Sequence, residues 1–225
     1  MLALKQTMAL NTIKGVAAWS PLDEETVVAW YRKATGITLN GSNVSQWSDQ
    51  TTNNRHMVQA TANEQPAYSA GILTFDPTTY TQNLQTTGQI SLSGTFTIGF
   101  RANPSTFNNV ILGDNTTSNE FFKYNANDRL SVKIDGTIKH LDLDSGTFGN
   151  DYIVITRDGS NVLTLYKNGT AQSATQTLAG TADIDAIGVR ATDVNAYDGT
   201  VTEIVIFDSI SQRLIQNVNS RLSSL

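Results

Sequence analysis

The groups in this chain that could do chemistry are carboxylates, side-chain amides and two imidazoles; there are no thiols. Cleaving a glycosidic bond takes two carboxyls across it, roughly 5–5.5 Å apart for retention and 6.5–9.5 Å for inversion. On a strand, two such acids would stand two residues apart, because alternate side chains share a face. The five glutamates are Glu24, Glu25, Glu64, Glu120 and Glu203. Glu203 lies in an apolar run between Thr202 and Ile204, with no acid two residues away. No hydrolase is predicted. His56 and His140, the only histidines, have no Gly-x-Ser-x-Gly elbow to serve and read as surface groups. Two histidines without a close acid partner also make a poor zinc site.

Binding chemistry is more open. Asp49 with Asn53 and Asn54 could offer hard oxygen ligands to calcium, as could Asp114 with Asn115. No Asp-x-Asp-x-Asp-Gly loop is present, and turn-forming Asp and Asn account for the same residues without an ion. A sugar site needs an exposed aromatic to stack on a pyranose, beside amide and carboxylate groups. Tyr80, Phe107 and Tyr197 stand in loop-like contexts, and Asp114 and Asn115 could supply the polar contacts.

These residues must be held by strands. Val27 to Tyr31 reads as an apolar strand, Asn40-Gly41 as a turn, and Val44 with Trp47 as the start of a second ordered segment. Residues 95–101 alternate, with Phe96, Ile98 and Phe100 on one side. Leu130, Val132 and Ile134 point inward before Asp135-Gly136 turns the chain, a hairpin signal. Asp158-Gly159 and Asn168-Gly169 mark further turns. Ten to thirteen strands result, at the 8–12-residue spacing of sandwiches and barrels. Ser20-Pro21 reads as an N-cap with proline at the first helical position. Ser211 caps a last helix, with Leu214, Ile215, Val218 and Leu222 on one face, expected to dock on the sandwich edge.

The order of a strand ending in Trp30-Tyr31, then Asn43-Val-Ser-Gln-Trp47-Ser-Asp49-Gln, then Asn53-Asn-Arg-His56, then Gln65-Pro-Ala-Tyr68 resembles the concanavalin A-like lectin/glucanase superfamily, in its laminin-G-like branch. Residues 152–159 and 165–169 resemble that branch's central hairpin, and residues 198–208 its closing strand. The resemblance implies an all-β fold, a two-sheet antiparallel jelly-roll sandwich with a short C-terminal helix, over residues 27–225. It implies a single calcium ion in some members and a buried place for Trp47. The Glu-x-Asp-x-x-Glu motif of the fold's retaining glucanases is missing. Trp30, Phe96, Phe100, Leu130, Val154, Ile206 and Leu214 are expected in the core.

The 225 residues suffice for one all-β domain, and the polar, turn-rich composition suits it. A net charge of -5 and a pI near 4.9 disfavour nucleic acid. No apolar run reaches the length of a membrane span, and the N-terminus makes a poor signal peptide. Residues 1–26 read as an extension whose Leu4, Met8, Leu10, Ile13 and Trp19 could anchor the protein to a partner or cover its own sandwich. Together with the resemblance, which extends to tailed-phage virion proteins, this points to a non-catalytic structural or recognition protein of a virion, such as a capsid decoration or tail-associated protein. Its partners would be other virion proteins, sister copies or surface glycans. The alternatives are a carbohydrate-binding module and, last, a β-glucanase. No cofactor is expected beyond the calcium left open above.

Overall fold

Several hairpins turn where residues can take a left-handed backbone. Asp135 (φ 47°) with Gly136 (φ 77°) and Asn168 (φ 49°) with Gly169 (φ 81°) place two such residues in succession, as a type I′ hairpin turn requires. The computed structural model describes residues 18–117, 120–191 and 194–225. A 3₁₀ turn at Pro21–Asp23 precedes β1 (Val27–Tyr31), β2 (Ile37–Asn40), β3 (Asn43–Trp47) and β4 (Met57–Val58). Then come β5 (Ala67–Ser69), β6 (Ile72–Phe75), β7 (Leu84–Leu92), β8 (Phe96–Pro104), β9 (Asn109–Gly113) and β10 (Phe121–Ala126). The chain continues through β11 (Arg129–Ile134), β12 (Thr137–Asp142), β13 (Asp151–Arg157), β14 (Val162–Lys167), β15 (Thr170–Ala171) and β16 (Gln176–Thr177). It closes with β17 (Ala182–Ile187), β18 (Gly199–Phe207) and the helix α1 (Gln212–Ser223). Several of these are two- or three-residue strands that carry no periodicity, which is why more strands form than the sequence suggests.

All pairings between these strands are antiparallel, and they build two layers. In the first, β18, β8, β13 and β14 follow one another, and β1 and β6 share the other edge of β18. In the second, the order is β7, β17, β9, β10, β11, β12. The short strands β2 to β5 join the two layers. Between them lie Phe96, Ile98, Phe100, Phe122, Tyr124, Leu130, Val132, Ile153, Ile204 and Ile206, all fully buried. The seven residues expected in the core are buried. Each such side chain contributes about 1.5–3 kcal/mol relative to exposure. Arg157 also lies in the interior, where its guanidinium donates to the carbonyls of Leu92, Gly94 and Gly180 at 2.7 Å and covers the Phe96 ring.

The helix docks on a face and not on the edge expected of it. Leu214, Val218 and Leu222 pack on Trp30, Val154, Val205 and Phe207, over the middle of the first layer. Gly99 makes this approach feasible: a Cβ there would come within 2.5 Å of Val218 Cγ1. Ser211 caps the helix by accepting from the Leu214 amide. Ser20 and Asp23 form a reciprocal capping box around Pro21. Among the described residues no helix is long and apolar enough to cross a membrane.

Candidate functional site

The residues that first suggested chemistry are mostly structural. Glu203 is fully buried and forms an ion pair with Arg221 of the helix; Arg221 Nη2 donates to Glu203 Oε2 at 3.0 Å. Glu203 also accepts from the indole N–H of Trp30 (2.9 Å) and the amide of Lys33 (3.1 Å). The carboxylate is thus used to hold α1 and β1 on β18.

At the loop suggested for calcium, Asp49, Asn53 and Asn54 are engaged in local hydrogen bonds. Asp49 accepts from the amides of Trp30, Thr51 and Arg55 and from the Thr51 hydroxyl, at 2.7–3.1 Å. Asn53 and Asn54 turn their amide nitrogens onto the carbonyls of Val28 and Thr52. A cation needs free oxygen lone pairs, and at Asp49 donors occupy them. His56 Nδ1 accepts from the Asp49 amide at 3.2 Å and so belongs to the same loop. Among the described residues no cluster of three or more His, Asp or Glu is arranged to hold a metal.

Of the expected sugar-stacking rings, only Tyr80 is exposed, at 49%. Tyr197 is fully buried, edge-on to Phe75 at 5.9 Å and against Tyr124 at 6.2 Å, so the exposure expected of it is corrected. Phe107 packs partly on the core. Trp47 is buried, as the resemblance implied. Asp114 is buried too, with its carboxylate taken up by Thr116 and Thr117. Burial raises its pKa, but these hydrogen bonds prevail and hold it below the usual carboxylate range. The structure does not bring Tyr80, Phe107 and Tyr197 together with Asp114 and Asn115 at one surface.

It builds a different site beside Asp114 and Asn115. On β17, Ala186 pairs with Gln85 and Ile184 with Ile90, so one residue, Asp185, stands opposite residues 86–89 of β7. This bulge opens the outer face of the second layer into a groove of about 800 Å³. Gln59, Gln85, Gln89, Thr86, Thr116 and Asp185 are among its walls. Asn83 fixes two of the amides, since its Oδ1 accepts from Gln59 Nε2 at 3.0 Å and Gln85 Nε2 at 2.9 Å. Asp185 accepts from the Asn115 amide at 2.6 Å. Burial foremost, then the neighbouring Asp114, pushes the Asp185 carboxyl up to about 6. The two acids are close enough for the charge of one to raise the other's pKa.

Further along the same outer face, three cations surround one ring. Arg190, Lys123 and Lys133 place their charges 5.1, 5.3 and 5.9 Å from the centroid of Phe121. Lys123 Nζ donates to Asn108 Oδ1 at 2.8 Å, and Arg190 donates to Asn195 Oδ1 at 2.8 and 3.2 Å. Burial, helped by Arg190, lowers the Lys123 pKa. Sequence reasoning passed over the groove and the cations alike. The available signal was the alternation of Phe121 and Lys123 against inward Phe122 and Tyr124.

Trp19, read as a partner anchor or a cover of its own sandwich, rests half-buried on that sandwich: its ring lies 6.3 Å from Phe207 and its N–H donates to Glu24 at 3.1 Å. Leu4, Met8, Leu10 and Ile13 lie outside the described residues.

No family model and no curated protein matches the sequence. Solved structures do match the fold. The receptor-binding domain of botulinum neurotoxin D superposes with a TM-score of 0.62 at 13% identity, over 91% of this chain and 54% of that one. The binding domain of Paraclostridial Mosquitocidal Protein 1 gives 0.58 at 14% identity, over 91% and 53%. Trypanosoma rangeli sialidase in complex with sialic acid gives 0.60 at 14% identity, over 93% and 34%. The chain spans about half the length of the two toxin domains and about a third of the sialidase. At such identities the likeness is one of fold, and it bears on the sandwich rather than on the virion setting.

Proposed function

We propose that this chain is a non-catalytic recognition domain that binds a glycan in the groove between β7, β17 and residues 114–117. The observation that carries the reading is the bulge at residues 86–89, which opens a sheet face and lines it with amides already oriented through Asn83. Fixed planar amides can donate to and accept from sugar hydroxyls at little cost in side-chain entropy. The structural neighbours lend support: one is a sialidase in complex with sialic acid, one a receptor-binding domain and one a binding domain. The absence of catalysis is proposed on two grounds. Glu203 is committed to Arg221, and the chain lacks the Glu-x-Asp-x-x-Glu motif of the fold's retaining glucanases. A virion surface, with sister copies or other virion proteins as attachment partners, is the proposed setting, supported by the single lectin-like domain behind an N-terminal extension and the overall resemblance to tailed-phage virion proteins.

The test is a glycan array followed by calorimetry on the full chain. Binding that Gln85→Ala and Gln89→Ala weaken, with no new reducing ends released, is expected. Absence of any glycan ligand, or release of reducing ends lost in Asp185→Asn, would overturn it. Co-sedimentation with particles tests the setting.

A further inference from the structure

We infer that the outer face of β10 and β11 holds an anion site, built from Lys123 and Arg190 with Lys133 beside them, that takes the carboxylate of an acidic saccharide. The saccharide part of this inference rests on the glycan reading above.

Three like charges around one ring repel one another, and a fold does not assemble them without some compensation. Part comes from the π-face of Phe121, which attracts cations. With 3% exposure, Phe121 is a floor for the cations and not a platform for a ligand. Beyond that, Lys123 and Arg190 are hydrogen-bonded to neutral amides, and among the described residues neither forms an ion pair. The arrangement contrasts with Arg129, Arg213, Arg221 and Lys167, each of which faces a carboxylate.

The two amides are themselves held in place. Asn108 and Asn195 both adopt a left-handed backbone (φ 72° and 53°), which asparagine tolerates better than most residues. Both are pinned to the strands: the Asn108 amide donates to the Tyr124 carbonyl at 2.7 Å, and the Asn195 carbonyl accepts from the Val110 amide at 2.8 Å. Such backbone strain persists where the surroundings fix it, and it keeps both cations aimed before a ligand arrives.

The surrounding charge selects the size of the anion. The chain carries -5, and Asp114, Glu120, Asp183 and Asp185 lie near the same face. That field repels a polyanion. A single carboxylate on an otherwise neutral sugar meets the cations with the least repulsion, and the planar guanidinium of Arg190 matches its two oxygens.

The test uses the full chain in titration calorimetry with 3′-sialyllactose, its methyl ester, lactose and inorganic sulfate. Sialyllactose is expected to bind about tenfold tighter than lactose or the ester, the value of one charge-assisted hydrogen bond. Arg190→Gln and Lys123→Gln should each remove that advantage, leave the affinity for lactose unchanged and not lower the melting temperature. Equal affinity for sialyllactose and its ester overturns the inference, as does a preference that survives both substitutions. Sulfate competing at the same concentration as sialyllactose would show a site for bare anions and overturn the saccharide class. If lactose binds and only the acidic preference is missing, the anion site fails while the groove stands. If neither sugar binds but sulfate does, the glycan reading fails.

Discussion

The two outer faces of this sandwich treat charge in opposite ways. Over the first layer, α1 closes the surface, and the charges beneath it are answered within the chain: Glu203 by Arg221, the Lys33 amide and the Trp30 indole, and the ring of Trp30 by Arg32 and Arg221 at 5.4 and 4.6 Å. Over the second layer nothing comparable closes the surface among the described residues. There, cations rest on neutral amides, and the charge of Asp114 bears on its neighbour Asp185. A face that the chain completes by itself can be electrically balanced. A face kept for a ligand holds some of its charge in reserve, at a cost in stability that binding offsets.

The comparison can be broken most strongly at Glu203. Glu203→Ala leaves Arg221 without its buried partner and is expected to destabilise the fold by about 3–5 kcal/mol in urea titration. Glycan affinity per folded molecule should not change. Next comes the contact that seats the helix. Gly99→Val intrudes on Val218 and should cost about 1–3 kcal/mol, with faster exchange of the α1 amides in hydrogen-exchange measurements. On the open face the effects move from stability to binding. Gln85→Ala should weaken glycan binding about fivefold, the loss of one ordinary hydrogen bond, while the urea midpoint stays in place.

The smallest effect sharpens the contrast through pH. The Asp185 carboxyl titrates at about 6 in the folded chain against an ordinary value of 3.8. Between those values the folded chain keeps a proton that the unfolded chain has released, so stability falls as pH rises through the window. Asp185→Asn lacks this titration. Its stability relative to the parent should therefore grow from pH 4 to pH 7 and level off above, by about 1 kcal/mol once solvent in the groove is allowed for. A difference that shrinks over this range would show that the acid is stabilised as its anion.

Much of the closed face could be read from the chain. Ser211 and the spacing of Leu214, Val218 and Leu222 announce the helix, and the alternation of Phe96, Ile98 and Phe100 announces the strand below it. The landing place was not legible, because Gly99 says nothing about helices until the two elements are brought together. The open face was harder still. The pairing of β7 with β17 skips residues 86–89, and this break removes the period by which a strand is recognised. Tyr197 sits among Asn195, Ala196 and Asp198, a loop-like context, yet its ring fills the core. Lys123 and Arg190 are far apart in sequence and meet only because the β9–β10 and β9–β17 pairings bring their elements side by side. An acidic isoelectric point conceals such a local reversal of sign.

Trp19 and Leu225 both rest on the helix-covered face, and Ala18 and Trp19 line a shallow hollow together with Ser220, Arg221 and Ser224 of the helix and its cap. The two ends of the described fold therefore leave from one side. A carrier fused after Leu225 would grip the molecule by its closed back. Every copy so mounted would turn its groove and its cations outward, and a lattice of them would form an oriented array whose avidity grows with the density of mounting rather than with any change in the single site.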